Sequence, residues 1–326
     1  MKYFISGGAG FIGSHLAQTI LSKTSNIEVT IYDNFSSGRL WHIDEIRQNK
    51  NLKVVEGDIK DLDKLVESMK GADVVYHFAS NPDISKAETQ PDIDFWEGTY
   101  LTNNILEAMR INNVSNLLYA SGSGVYGDTG YLMTHEDYSP MLPISPYGAS
   151  KLGCEALICS YCFMFDMNAA VFRFANVVGP HQTHGIGYDF VKKLIKFPEE
   201  LQILGDGTQS KSYIYVSDVI SAMRLIEKNA LSKYNYYNVA TADHITVTEI
   251  ANIVVDILKL NNVNLKYTGG NRGWKGDVPI VRLSSEKIRE CGWKNQHTCK
   301  EAIYKSVLSI YNDAKSNKFG WNGKIR

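Results

Sequence analysis

The stretch Ser6-Gly7-Gly8-Ala9-Gly10-Phe11-Ile12-Gly13 links an apolar run at residues 2–6 to a helical pattern at residues 11–22. Glycines at this spacing let the backbone turn tightly and approach a diphosphate, which then rests on the amino end of the helix. A glycine-rich turn alone is weak evidence for a nucleotide site, but this turn lies between a strand and a helix, as the motif requires. It therefore predicts a dinucleotide site that includes Gly7, Gly10, Phe11, Ile12 and Gly13.

Short apolar runs alternate with longer helical patterns through the first half of the chain. Two of these runs, at residues 73–78 and 116–120, are almost continuously apolar, as expected of a parallel sheet that is buried on both faces. We therefore expect an α/β fold built on a Rossmann-type doubly wound parallel sheet, with ligands at the carboxyl ends of the strands. The predicted strands are residues 2–6, 27–32, 52–56, 73–78, 116–121 and 169–174, and the predicted helices are residues 11–22, 39–48, 61–69, 97–112 and 147–166.

The alternation ends near residue 176, where loops rich in glycine, histidine and asparagine begin. We expect residues 1–176 to form the dinucleotide-binding domain, with interwoven return segments near 205–228. Residues 177–326 would mainly form a smaller α/β lobe that binds the substrate and includes helices at 216–228 and 246–259.

The charge of the chain is nearly balanced, with 34 basic and 35 acidic residues. This balance gives no reason to expect nucleic acid or an anionic membrane as a partner. No signal-peptide pattern opens the sequence, and no apolar run approaches the ~18 residues of a membrane-spanning helix. We expect a soluble, cytoplasmic protein.

Cysteine and histidine spacing gives little support for a metal or a disulfide framework. The five cysteines are an odd number, and the pair Cys159-x-x-Cys162 lies in an apolar helical stretch without a second such pair. The spacing His181-x-x-His184 also lacks a complete set of ligands, so we interpret these histidines as polar loop residues. No metal is expected.

Asp33 ends the second predicted strand, about twenty residues beyond the last glycine of the motif. A carboxylate there accepts hydrogen bonds from the ribose hydroxyls and repels a 2′-phosphate, so NAD is favoured over NADP. Arg39 favours NADP instead, because it is close enough in sequence to Asp33 to contact a 2′-phosphate. The neighbouring cofactor candidates at strand ends are Asn34, Asp58, Ile59, Phe78 and Ala79.

Tyr147 and Lys151 are four residues apart in Ser-Pro-Tyr-Gly-Ala-Ser-Lys, so one helix would carry them on the same face. An ammonium there favours the phenolate. Such a tyrosine can take a proton from a hydroxyl while hydride leaves the same carbon. The spacing alone is common, and its weight depends on the glycine motif and Asp33.

Together, these motifs resemble the extended short-chain dehydrogenase/reductases that act on nucleotide sugars. The resemblance is closest to the UDP-glucose (UDP-galactose) 4-epimerase type and spans nearly the whole chain. It rests on the glycine motif, Asp33, Ser121-Gly-Ser-Gly-Val-Tyr-Gly127 and Tyr147-x-x-x-Lys151.

The resemblance implies roles for several residues. Tyr147 would be the general base and acid, and Lys151 would orient the nicotinamide ribose of NAD. The diphosphate of a nucleotide-diphosphate sugar would contact Asn176, Lys211 and Arg272, and Asp277 would orient Arg272 or bind a ribose. Relatives also pair two helices into a four-helix bundle, so a homodimer is expected through helices 97–112 and 150–166.

Two positions depart from the family pattern. The family normally has Ser or Thr where this chain has Gly122, so Ser121 or Ser123 would have to supply the hydroxyl as a catalytic residue. Phe95 stands where relatives commonly have asparagine. Dehydratases carry Asp-Glu before Val-Tyr-Gly to eliminate water, whereas this chain has Ser123-Gly124.

These patterns predict an NAD-dependent nucleotide-sugar oxidoreductase that acts at sugar C4 through a 4-keto intermediate. A 4-epimerase is the leading interpretation. A 4-dehydrogenase or reductase that releases the keto sugar is the alternative, and a non-catalytic NAD-binding sensor is a third.

Overall fold

The computed structural model describes residues 1–23, 26–229 and 231–321. Seven parallel strands in these ranges form one sheet: β1 Lys2–Ser6, β2 Glu28–Asp33, β3 Leu52–Glu56, β4 Val74–His77, β5 Asn116–Gly122, β6 Asn168–Phe174 and β11 Tyr234–Val239. Their order in the sheet is β11-β6-β5-β4-β1-β2-β3. The order reverses next to β1, so a crevice for ligands is expected beyond its carboxyl end. The predicted doubly wound α/β fold is confirmed.

Helices cover both faces of the sheet because successive strand residues point to opposite sides. Tyr3 and Ile5 belong to one apolar core and Phe4 belongs to the other. The helices are α1 Phe11–Lys23, α2 Leu62–Met69, α3 Tyr100–Asn112, α4 Pro146–Met164, α5 Ile186–Lys196, α6 Val216–Lys228, α7 Val247–Ile257, α8 Glu286–Glu290 and α9 Cys299–Lys315. In the described part of the chain, none of them has the length and apolar character needed to cross a membrane.

A third apolar core lies outside the large sheet and is formed mainly by α5, α7 and α9. Three two-stranded sheets accompany it: β7 pairs with β10, β9 with β12 and β8 with β13. These short strands are β7 Asn176–Val178, β8 Glu200–Ile203, β9 Ser210–Lys211, β10 Tyr213–Tyr215, β12 Ile245–Thr246 and β13 Asn264–Tyr267. The predicted division near residue 176 stays a prediction. The chain does return to the large sheet at β11, beyond the predicted return segment.

One predicted helix is wrong. Residues 39–48 form only a short 3₁₀ helix, Leu40–Ile43, followed by turns. The backbone N–H of Arg39 and Nδ1 of His42 both donate to the carbonyl of Ala9, at 3.0 and 2.8 Å. These contacts with the glycine loop tie the segment to tertiary structure, and a longer α-helix would have to give them up.

The start of α4 follows directly from its sequence. The Ser145 hydroxyl accepts the backbone N–H of Gly148, and Pro146 occupies the first helical position. Both features favour a helix start because they satisfy or remove otherwise unpaired N–H groups. Tyr147 is therefore presented in the first turn of α4.

Candidate active site

A cavity of about 610 Å³ opens at the carboxyl ends of the parallel strands. Gly7 follows β1, Asp33 ends β2, Phe78 follows β4 and Gly122 ends β5, and all four line it. The cavity wall contains every residue predicted to bind the cofactor: Gly7, Gly10, Phe11, Ile12, Gly13, Asp33, Asn34, Asp58, Ile59, Phe78, Ala79, Tyr147 and Lys151.

The glycine loop has the close approaches that a diphosphate cradle needs. Gly7 has φ +67°, and a Cβ there would lie 2.8 Å from the backbone nitrogen of Ala79. A Cβ at Gly13 would lie 2.4 Å from the carbonyl oxygen of Gly7. A side chain at either position would fill the cradle, so only glycine keeps it open.

Asp33 is buried at the end of β2 and faces the cavity. Its two carboxylate oxygens accept backbone N–H groups from Ala9 and Phe35, at 2.9 and 2.8 Å. Burial raises the pKa of this carboxyl, and the two hydrogen bonds oppose that shift. The hydrogen bonds hold the carboxylate beside the glycine loop, where a ribose diol can reach it.

Arg39 does not line the large cavity. It borders an adjoining cavity of about 280 Å³ that shares Ser36, Ser37 and Thr183 with the large one. Its Nη1 donates to the carbonyl of Gly38 at 2.9 Å. The contrary signal for NADP that Arg39 gave in the sequence therefore has no counterpart in the wall of the large cavity.

Tyr147 and Lys151 share one face of α4, as their spacing predicted. The Lys151 ammonium lies 5.5 Å from the ring centroid of Tyr147 and donates to the carbonyl of Ala120 at 2.9 Å. Lys151 is buried, whereas Tyr147 is partly exposed to the cavity. The phenol can therefore meet a substrate while the ammonium stays fixed beneath it.

Ser121 and Ser123 both line the cavity, but they differ in their partners. The Ser121 hydroxyl is buried and donates to Glu155 at 2.6 Å. Glu155 also pairs with Arg173, which donates to it through Nη2 at 2.7 Å. No motif in the sequence pointed to Glu155, which lies one helical turn beyond Lys151.

Gly122 has extended backbone and continues the regular pairing of β5 with β6, opposite Phe174. The strand has no bulge here that would turn Ser121 toward Tyr147. Of the two serines, Ser121 is bound to the Glu155 carboxylate, whereas Ser123 has no carboxylate partner among the described residues. A Cβ at Gly122 would meet only the carbonyl oxygen of Phe174, at 3.9 Å. The space beside the Gly122 Cα is therefore open.

Three of the four residues predicted to bind substrate line the cavity: Asn176, Lys211 and Asp277. The Lys211 ammonium donates to the Asp277 carboxylate at 2.6 Å. Arg272 is not part of the wall. It pairs with Asp128 at 2.6 Å and also donates to the backbone carbonyl of Asp277. Arg272 thus braces the loop that carries Asp277, and its predicted contact with the diphosphate stays a prediction.

His181 lies in the loop after β7 and is partly buried. Its ring is stacked between His15 and His42, with centroid distances of 4.7 and 4.8 Å. The near-parallel rings do not converge their nitrogens, and among the described residues no group of three or more His, Cys, Asp or Glu side chains could hold a metal ion. Cys162 packs in an apolar core, where burial raises the pKa of its thiol to about 12.

Residues 3–240 match the sequence model of the NAD dependent epimerase/dehydratase family. The chain belongs to this family. NAD is therefore its cofactor, and the glycine cradle with Asp33 fits it.

Relatives of the chain include epimerases and dehydratases. A protein of Methanocaldococcus jannaschii with a provisional description as a UDP-glucose 4-epimerase is 31% identical, covering 96% of this chain and 99% of that protein. Human dTDP-D-glucose 4,6-dehydratase is 27% identical, over 94% of this chain and 89% of that protein. A crystal structure of a UDP-galactose 4-epimerase has a TM-score of 0.86 and 34% identity, covering 96% of this chain and 99% of that one.

The family includes two reaction classes, and the cavity of this member differs locally from what elimination needs. Ser123 and Gly124 line the cavity next to Val125, and neither carries a carboxylate. Eliminating water requires an acid and a base close to the leaving hydroxyl. The wall next to Tyr147 therefore supports proton and hydride transfer at one carbon more directly than elimination.

Proposed function

We propose that this enzyme is a nucleotide-sugar 4-epimerase of the UDP-glucose 4-epimerase type. The observation that carries the proposal is the Tyr147–Lys151 pair, which faces the cavity beside Gly122-Ser123-Gly124 where the eliminating carboxylates are absent. The names of the relatives support the same reaction class.

NAD, when bound, accepts a hydride from the sugar carbon and later returns it. Tyr147 holds the proton of the C4 hydroxyl on its phenolic oxygen while the carbon is a ketone. Lys151 keeps its ammonium beneath the phenol, fixed by the Ala120 carbonyl. General acid–base work of this kind contributes about 10²- to 10⁴-fold.

The second half of the reaction needs the 4-keto sugar to present its other face. Gly122 and Gly124 leave space in the cavity wall beside Tyr147. Asn176 and Lys211, farther along the wall, would hold the diphosphate, with Asp277 fixing the Lys211 ammonium. A nucleotide anchored at that end leaves the sugar free to turn.

Purified enzyme with a panel of UDP-, GDP- and dTDP-sugars tests the reaction. We expect inversion at C4 with no net change in NADH absorbance. A Tyr147→Phe variant should lose at least about 100-fold in turnover while retaining NAD. The control is Tyr131→Phe, because Tyr131 is largely exposed and lies outside the cavity wall. Unchanged turnover in Tyr147→Phe would remove the catalytic role of this residue.

A 4-dehydrogenase is the second candidate, and Gly122 is the observation that favours it. Without a hydroxyl at this position, the keto sugar has one hydrogen bond fewer to hold it until hydride returns. Stoichiometric NADH together with a released keto product would establish this reaction in place of epimerisation.

A homodimer through α3 and α4 is also proposed. The apolar residues of the two helices and of the turn after α4 differ in exposure. Met109, Cys154 and Ile158 are buried within the chain, whereas Phe163, Met164 and Phe165 are exposed. The exposed group, with Trp96 near the start of α3, supports a contact with a second copy.

A further inference from the structure

Four charged or ionisable side chains form a row that leads from the cavity into the protein interior. Tyr147, Lys151 and Glu155 follow one another at four-residue spacing on α4, so their Cβ atoms are neighbours on one face, about 5–6 Å apart. Arg173 on β6 ends the series by pairing with Glu155. Lys151 therefore lies between a phenol that it should ionise and a carboxylate that would compete for its charge.

The competition is serious because the site is buried. Lys151 is 5% exposed, and Glu155 and Arg173 are each 3% exposed. Charges interact more strongly in such surroundings than in water. Left alone, the Glu155 carboxylate would weaken the effect of the ammonium on Tyr147.

Arg173 forms a bidentate ion pair with the Glu155 carboxylate. Its Nε lies 3.1 Å from both carboxylate oxygens, and its Nη2 lies 2.7 Å from one of them. Its Nη1 donates to the Tyr126 hydroxyl and the Glu136 carbonyl, at 2.8 and 2.9 Å. These contacts fix the orientation of the guanidinium, which neutralises the charge of the Glu155 carboxylate.

Three further ionisable groups lie close to Lys151, and two of them, His77 and Tyr119, are neutral. Burial lowers the pKa of His77 on β4 to about 3, so it is neutral at working pH. Burial raises the pKa of Tyr119 on β5 well above its ordinary value. Asp94, ahead of α3, has a pKa raised by burial, and its carboxylate accepts a hydrogen bond from Asn81 at 2.9 Å.

We propose that Arg173 is a positioning residue for the reaction: it neutralises Glu155, so that this carboxylate does not weaken the effect of the Lys151 ammonium on the Tyr147 phenol. Ser121 belongs to the same group of contacts, because its hydroxyl donates to Glu155 at 2.6 Å. This inference rests on Tyr147 being the acid–base residue of the proposed function.

Two single variants should move the ionisation of Tyr147 in opposite directions. Arg173→Gln leaves Glu155 unpaired, and we expect the midpoint of phenol ionisation to rise by about one pH unit. Glu155→Gln leaves Arg173 unpaired, and the midpoint should fall by a similar amount. The double variant Glu155→Gln/Arg173→Gln should return it close to wild type.

The readout is the phenolate absorbance of the NAD-loaded enzyme, taken as the difference from the matching Tyr147→Phe variant. It needs no turnover, so loss of the proposed reaction and failure of this inference are distinguishable. Arg224→Gln is the matched control, because Arg224 pairs with Glu227 in a second largely buried ion pair. It should lower thermal stability and leave the Tyr147 midpoint unchanged.

If the Glu155–Arg173 pair had a purely structural role, the two single variants would shift the Tyr147 midpoint in the same direction or leave it unchanged. Either result in folded variants would overturn the proposal. If Arg173→Gln does not fold, Glu155→Gln and the double variant still test the proposal. A Tyr147 midpoint that falls in Glu155→Gln and returns to the wild-type value in the double variant supports the proposal. Equal Tyr147 midpoints in these two variants contradict it.

Discussion

Gly122 stands at the position where the resemblance described above implies a serine or threonine. Its backbone is extended, with φ −155° and ψ 168°, and any residue can adopt that conformation. Open space surrounds the position at which a Cβ would stand. Nothing in the local structure therefore demands glycine, and a hydroxyl can be restored there.

A Gly122→Ser variant should fold and turn over faster than wild type. A well-placed donor at a reacting oxygen is worth on the order of 100-fold in rate, so we expect a gain of about tenfold or more in epimerisation. Gly122→Ala is the matched control, since it fills the same space without the hydroxyl. Both variants should be slightly more stable, because replacing glycine restricts the unfolded chain.

Steady-state rates of the three proteins on one nucleotide sugar make the comparison. Equal rates for Gly122→Ser and Gly122→Ala would show that a hydroxyl at this position contributes nothing. Ser123, which also lines the cavity, would then be the remaining serine to test.

At the scale of elements, the three stacked histidines join segments that are far apart in sequence. His15 lies on α1, His42 in the 3₁₀ helix and His181 in the loop after β7. His42 donates to Ala9 of the glycine loop, and His181 is hydrogen bonded to Ser14 at 3.0 Å. The stack therefore braces the glycine loop and α1 against the loop that follows β7.

The stack should make the protein less stable as pH falls. Burial lowers the pKa of His42 to about 4 and that of His181 to about 3, and it also lowers the pKa of His15. Arg39 and Lys318 add to the shift, whereas Glu45 opposes it for His15. The unfolded chain binds protons near pH 6.5 while the folded chain does not, so stability is full above that pH and declines from about 6.5 toward 4.

Urea unfolding at pH 7.5 and pH 5.5 measures the decline, which approaches about 1.4 kcal/mol per pH unit for each histidine that stays neutral. In His42→Asn the amide can still donate to Ala9, but it no longer titrates, so the loss between the two pH values should shrink. His135→Asn is the control, because His135 is half exposed. A loss as large in His42→Asn as in wild type would contradict this account.

The elements that the sequence predicted correctly are those with a local cause. The glycine loop, Asp33 and the strands of continuous apolar residues follow from backbone geometry and burial. In contrast, β11 reads Tyr-Asn-Tyr-Tyr-Asn-Val and becomes a sheet strand only by pairing with β6, far away in the chain. The same holds for the histidine stack and for the Glu155–Arg173 pair, whose partners meet through the tertiary fold.

At the scale of the whole molecule, aromatic side chains are at least partly exposed at both ends of the α3–α4 pair, with Trp96 just before α3 and Tyr161 and Phe165 at the end of α4. We refer to these residues as the aromatic patch. Trp96 contacts Tyr100 with ring centroids 5.5 Å apart, and Tyr161 contacts Phe165 at 4.9 Å. Arg110 of α3 lies over the Phe165 ring, at 5.7 Å. The two helices thus offer one surface that mixes aromatic rings with a cation, a composition enriched in protein interfaces.

A double substitution in this patch should give a monomer. In a two-fold dimer each residue of the interface occurs twice, so Trp96→Glu/Phe165→Glu would bury four unpaired carboxylates. We expect light scattering to give twice the chain mass of 36.5 kDa for wild type and the single mass for the variant. Tyr131→Glu is the control, since Tyr131 is 80% exposed outside the patch. A wild-type protein of single mass at micromolar concentration would refute the dimer, and a variant that stays dimeric would show that the interface lies on another surface.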